Sequence, residues 1–154
     1  FDCSDGHIII ATGSKTRPLP IPGSQLLMTS DDVLSDTHQP ESVVFIGGGV
    51  IALEFSHVYA RAGTKVTILE LAPQLLPRLD TDAVSMLRAE TERLGVDVHT
   101  GVGVKQVRRA DDGLEVVFAT VGATISRAAE RANNGAWRVA TWASSIVWTH
   151  APRP

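Results

Sequence analysis

The stretch Val43-Val44-Phe45-Ile46-Gly47-Gly48-Gly49-Val50-Ile51-Ala52-Leu53-Glu54 constrains this chain more than any other. Its apolar opening, β-branched and aromatic, is what a buried parallel strand requires. Three glycines then leave a turn almost bare of side chains. Val50, Ile51, Leu53, Val58 and Ala62 follow with apolar positions on one helical face, and Gly63 supplies the stop. Lys65-Val66-Thr67-Ile68-Leu69-Glu70 reads as a second strand that ends in an acid. A strand, a glycine turn and a helix in that order aim free backbone N–H groups and the positive end of a helix dipole at an anion.

The spacing Gly47-x-Gly49-x-x-Ala52 is the dinucleotide-binding fingerprint with alanine in third place. Gly47 permits the tight turn, Gly49 lets the backbone approach a pyrophosphate, and Ala52 lets the helix pack closely on the strand. Glu70 stands about 20 residues beyond the glycines, where the fingerprint places the carboxylate that holds a ribose. A glycine turn that merely joined strand to helix would leave that acid unexplained.

The length of 154 residues suits one domain with a real core. A net charge of −3 with no basic stripe argues against nucleic acid as a partner. No apolar run approaches the roughly 18 residues of a membrane span, and residues 1–10 lack the basic start of a signal peptide. Cys3 is the only cysteine, so neither an internal disulfide nor a CxxC pair is available. A cytoplasmic location is expected on these grounds. The chain opens on Phe1 rather than Met, as expected for a piece of a longer protein.

Residues 7–14 read as a buried strand running into a small-residue turn. Residues 15–40 read as a connector stiffened by Pro18, Pro20 and Pro22, with Thr29-Ser30-Asp31-Asp32 capping a short helical turn through Leu34. After Glu70 comes a loop with Pro73 and Pro77, then a helix over about 82–94 capped by Asp80 or Thr81 and stopped by Gly95. Val96-Asp97-Val98-His99 alternates as a third strand. The expected fold is α/β, a Rossmann-like doubly wound parallel sheet, incomplete at both ends, with the ligand over the C-terminal ends of its strands. The rhythm then changes to a β-meander in place of a crossover helix. Residues 102–107 and 114–118 alternate around an Asp111-Asp112-Gly113 hairpin turn, and residues 120–127 offer a third antiparallel strand. Trp137, Trp142 and Trp148 crowd into an end that has no Asp or Glu after Glu130. Residues 137–154 therefore read as an aberrant or disordered tail, with a tryptophan-rich docking surface as the competing reading.

The chain resembles the middle of a pyridine nucleotide-disulfide oxidoreductase, the group of dihydrolipoamide dehydrogenase, glutathione reductase and mercuric reductase. Ile9-Ile10-Ala11-Thr12-Gly13-Ser14 with Pro18-Leu19-Pro20-Ile21-Pro22-Gly23 resembles the family's ATG motif. Thr29-Ser30-Asp31 resembles its TSD stretch, and Gly47 to Glu54 with Val66 to Glu70 resembles its NAD(P)H-domain core. The resemblance implies that residues 1–40 close an FAD-binding domain and connector and that residues 41–136 form the NAD(P)H-binding domain. It implies FAD contacts from Ala11, Thr12 and Gly13, and an NAD pyrophosphate cradle from Gly47, Gly48, Gly49, Val50, Ile51 and Ala52. Glu54 then lies near the nicotinamide end and Val102 against adenine.

The implied activity is an NAD(P)H-dependent flavin disulfide oxidoreductase. It passes hydride from NAD(P)H to flavin and on to a disulfide or thiol substrate, and the full-length enzyme is a homodimer. Glu70 favours NAD over NADP, because a carboxylate accepts from free ribose hydroxyls and repels a 2′-phosphate. The next arginine is Arg78, and Ala52 pulls toward NADP. The family's CxxxxC pair, its flavin fingerprint and its His-Glu acid/base pair have no match in this chain, which by itself is expected to be inactive. His7, His38, His57, His99 and His150 read as structural or solvated. Trp137 stands where the family's next strand has glycine. Two alternatives stay open: a disulfide-independent NADH:flavin oxidoreductase and a non-catalytic nucleotide-binding remnant.

Overall fold

The computed structural model describes residues 7, 9–13, 16, 18–110 and 113–120, together with the backbone of 139–141 and 145–146. A short helix α1 (Ser30–Ser35) leads into strand β1 (Ser42–Ile46), helix α2 (Val50–Arg61) and strand β2 (Lys65–Leu69). Helix α3 (Thr81–Arg93) and strand β3 (Asp97–His99) follow, then the hairpin β4 (Val102–Ala110) and β5 (Gly113–Thr120). Strands β6 (Val139–Thr141) and β7 (Ser145–Ile146) come last. The main sheet has the order β3-β2-β1-β6-β7, parallel except for β7. This is the Rossmann-like arrangement expected from the sequence, with β6 on the far edge of β1.

The alternation of β1 explains how both faces of the sheet are covered. Val43 and Phe45 point into a core with Ala52 and Leu53 of α2, Val84 of α3, and Ile68 and Leu75. Val44 and Ile46 point the other way, onto Leu69, Val102, Val107 and Leu114. A parallel strand covered on both sides calls for an apolar run, and β1 is buried throughout, apolar from Val43 to Ile46. The helices cover one face. The β4–β5 hairpin covers the other, together with Leu19, Ile21, Leu26 and Leu27 of the connector. The connector is fastened there by Val107 N–H donating to Pro22 O at 2.9 Å.

The helix boundaries follow their caps. Thr29 and Asp32 form a reciprocal capping box on α1. Asp80, one of the two expected caps, caps α3, whose first residue Thr81 comes one ahead of the expected start. Gly63 and Gly95, with φ of 88° and 87°, turn the chain out after α2 and α3. Asp111 and Asp112 lie outside the described residues, but Ala110 pairs with Gly113, as a two-residue loop requires. The expected third meander strand lies outside the described residues beyond Thr120. So does the tail, apart from the backbone of β6 and β7.

One expectation fails. The described part of 7–14 forms no strand, and Ile9 and Ile10 are 87% and 83% exposed. An apolar run becomes a strand only where a neighbour takes up its N–H and C=O groups, and among the described residues none does. No helix among the described residues is long and apolar enough to cross a membrane.

Candidate functional site

The glycine turn sits where β1 ends and α2 begins. Gly47 has φ of 107°, a conformation that side chains rarely adopt, and its N–H donates to Leu69 O at 2.7 Å. Gly48 N–H donates to Glu70 Oε2 at 2.5 Å, and Gly48 O accepts from Leu76 N–H at 3.0 Å. A Cβ on Gly48 would overlap Leu75 Cδ2 and stand 3.2 Å from Glu70 Cβ. Gly49 is the N-terminal flanking residue of α2, and its carbonyl takes the first helical bond, from Leu53 N–H at 3.1 Å. No side chain caps this helix, whereas Thr29 caps α1 and Asp80 caps α3. The N–H groups of Val50, Ile51 and Ala52 precede the first intrahelical bond and are left for a partner from outside. Val50 is 52% exposed, so the mouth of the helix is open to solvent, while Ala52 is buried against the sheet.

Glu70 follows β2 directly and is fixed at every polar group. Its N–H donates to His99 O at 2.8 Å and its carbonyl accepts from Val102 N–H at 3.0 Å. Its Oε1 accepts from Ala72 N–H at 2.6 Å, while Oε2 takes Gly48 N–H. A carboxylate has about four acceptor positions, so capacity remains for hydroxyl donors. Val102, 7% exposed, stands beside Glu70 at the start of β4. The structure thus brings Gly47, Gly48, Gly49, Glu70 and Val102 together beyond the C-terminal ends of the parallel strands, where open α/β sheets bind ligands. Ile51 is half-buried and Glu54 is exposed on α2.

Ala11, Thr12 and Gly13 are exposed on a stretch without regular structure, and none of their hydrogen bonds among the described residues reaches the turn. His38 pairs with Asp36 and His99 with Asp97, each two residues away, while His57 of α2 bonds Thr91 of α3. His7 is exposed, and Cys3 and His150 lie outside the described residues. Among the described residues no group of His, Cys, Asp and Glu is arranged to hold a metal ion. The sequence reading missed Ala72, Leu75 and Leu76. Their signal was an apolar pair, Leu75-Leu76, inside an otherwise proline-rich loop.

Residues 1–130 match the family model of the pyridine nucleotide-disulphide oxidoreductases. The chain belongs to that family. It is 38% identical over 118 residues to a dihydrolipoyl dehydrogenase of Haloferax volcanii, covering 74% of this chain and 24% of the relative. It is 39% identical over 96 residues to the dihydrolipoyl dehydrogenase of Bacillus subtilis, covering 61% and 21%. Among solved structures, the HOCl-induced flavoprotein disulfide reductase RclA of Escherichia coli aligns with a TM-score of 0.68 at 27% identity, over 88% of this chain and 29% of that one. The chain therefore spans about a quarter of the length of the relatives it matches.

Proposed function

We propose that this chain is the NAD(H)-binding segment of an FAD-dependent oxidoreductase that passes hydride from NAD(P)H to flavin and on to a disulfide or thiol. One observation carries the reading. The uncapped N-terminus of α2 and the carboxylate of Glu70 converge on the same glycine turn. A dinucleotide offers both complements, a diphosphate for the amides and a ribose diol for the carboxylate.

The residues present fit the nucleotide. Gly49, Val50 and Ile51 offer amide donors, and the positive end of α2 favours the negative charge. Glu70 accepts from the ribose hydroxyls, and Val102, buried beside it at the start of β4, marks the adenine side. NAD(H), when bound, supplies the hydride-carrying nicotinamide, and the flavin is its acceptor. Glu54 lies on α2 toward the nicotinamide side. Glu70 favours NAD over NADP because a 2′-phosphate would face a carboxylate already held in place by two amides.

Ala11, Thr12 and Gly13, the flavin-contact residues of this reading, are exposed. The flavin, the electron acceptor and a homodimeric assembly belong to the reading only through family membership. The test is calorimetric titration of the chain and of Gly49→Trp with NADH. The parent should give a saturable single-site isotherm and the variant no heat, with unchanged circular dichroism. Equal affinity in a folded Gly49→Trp protein would refute the reading.

A further inference from the structure

We infer that Leu76 is a positioning residue for the nucleotide-binding turn, acting through Gly48 without touching the nucleotide. This rests on the proposal that the turn binds NAD(H). Leu76 is the one non-glycine residue with positive φ among those described, at 45°. Leucine is disfavoured there, so its surroundings must impose the conformation.

Those surroundings all lead to Gly48. Leu76 N–H donates to Gly48 O at 3.0 Å, and Leu79 N–H donates to Leu76 O at 2.8 Å. Leu75, with no exposed surface, occupies the space a Cβ on Gly48 would need. Leu76 itself packs against the core under the helices. Gly48 is thus held at its N–H by Glu70, at its Cα by Leu75 and at its carbonyl by Leu76.

The consequence lies in the next peptide plane. No peptide bond among the described residues is cis, and in a trans peptide the C=O and the following N–H point in opposite directions. Fixing Gly48 O toward Leu76 therefore turns Gly49 N–H the other way. Gly49 N–H is the first amide at the mouth of α2. The left-handed backbone of Leu76 sets its direction before any ligand arrives.

Two variants separate this role from mere stability. Leu76→Gly keeps the N–H and accepts the positive φ, whereas Leu76→Pro removes the N–H and holds φ near −65°. In NADH titrations the glycine variant should bind within twofold of the parent and the proline variant at least tenfold more weakly. Val84→Ala, which opens a cavity in the same core but removes no bond to Gly48, is the control for lost stability and should bind as the parent does. Where Leu76→Pro does not fold, amide exchange of the parent decides. By reciprocity, saturating NADH should slow exchange of the Leu76 N–H at least threefold. A folded proline variant binding within twofold of the parent, or a Leu76 exchange rate unmoved by NADH, would overturn the positioning role alone. A folded parent that binds no NADH would overturn the nucleotide reading beneath it.

Discussion

Gly48→Ala tests the packing of the turn without reference to any ligand. The added methyl would overlap Leu75 Cδ2 and press to 3.3 Å from Glu70 Oε2. Leu75 is 0% exposed, so its side chain cannot swing out into solvent without moving its neighbours. Either Leu75 leaves its rotamer, an overpacking cost of about 1–3 kcal/mol, or the turn shifts and strains the bond from Gly48 N–H to a charged acceptor. That bond contributes about 1.5–3 kcal/mol. The cheaper route sets the outcome, so a loss of about 2 kcal/mol is expected. For a chain of this size that lowers Tm by about 4–8 °C. Urea unfolding followed by circular dichroism measures it. Leu75→Ala alone should cost about 2–5 kcal/mol through its cavity. In the double variant the new methyl enters that cavity, so the combined loss should fall short of the sum by about 1–2 kcal/mol. A Gly48→Ala protein within about 0.5 kcal/mol of the parent, or a strictly additive pair, would refute the reasoning.

Three further outcomes follow from the same geometry. Glu70→Arg should move preference from NADH toward NADPH, since a guanidinium replaces the carboxylate facing the 2′ position; unchanged selectivity in parallel titrations would count against it. Gly23→Ala should release the connector from β4, because its Cβ would meet the Val107 carbonyl, a backbone atom, at a residue with φ of 84°. A loss of more than about 3 kcal/mol in urea unfolding is expected, and an unaffected midpoint would show that the connector is not docked there. Tyr59, the chain's one tyrosine, has its phenol pushed up to about 12 by burial and then by the charge of Asp36. Its folded value exceeds its unfolded one, so the neutral form's contribution is complete below about pH 10 and is lost as pH rises through about 12. Tyrosinate absorbance of the folded chain should therefore appear above pH 11; ionisation near 10 would contradict the burial.

The parts of the fold written in short-range chemistry were legible in the sequence. The β1–turn–α2 unit, the cap at Asp80, the stops at Gly63 and Gly95 and the β4–β5 hairpin each depend on residues a few positions apart. The failure at residues 7–14 has the same cause in reverse. Ile9 and Ile10 carry the composition of a strand, but a strand is made by its neighbour, and composition does not show whether one is present. At the site, spacing alone pointed to Gly47, Gly49 and Glu70. It did not show that Glu70 would grip Gly48 through 2.5 Å of hydrogen bond, or that Leu75 is what forbids a side chain at Gly48. Those contacts join segments that lie far apart in the chain and exist only once the sheet has formed.

The central claim is that the open end of α2 receives a diphosphate while Glu70 receives the adjoining ribose. Amide chemical shifts of the 15N-labelled chain, recorded as NADH is added, test it most directly. The account predicts the largest movements at Gly49, Val50 and Ile51, with Ala72 and Val102 following at the same nucleotide concentration. Saturable binding that leaves these amides still while others move, or no movement anywhere in a folded chain, would contradict it.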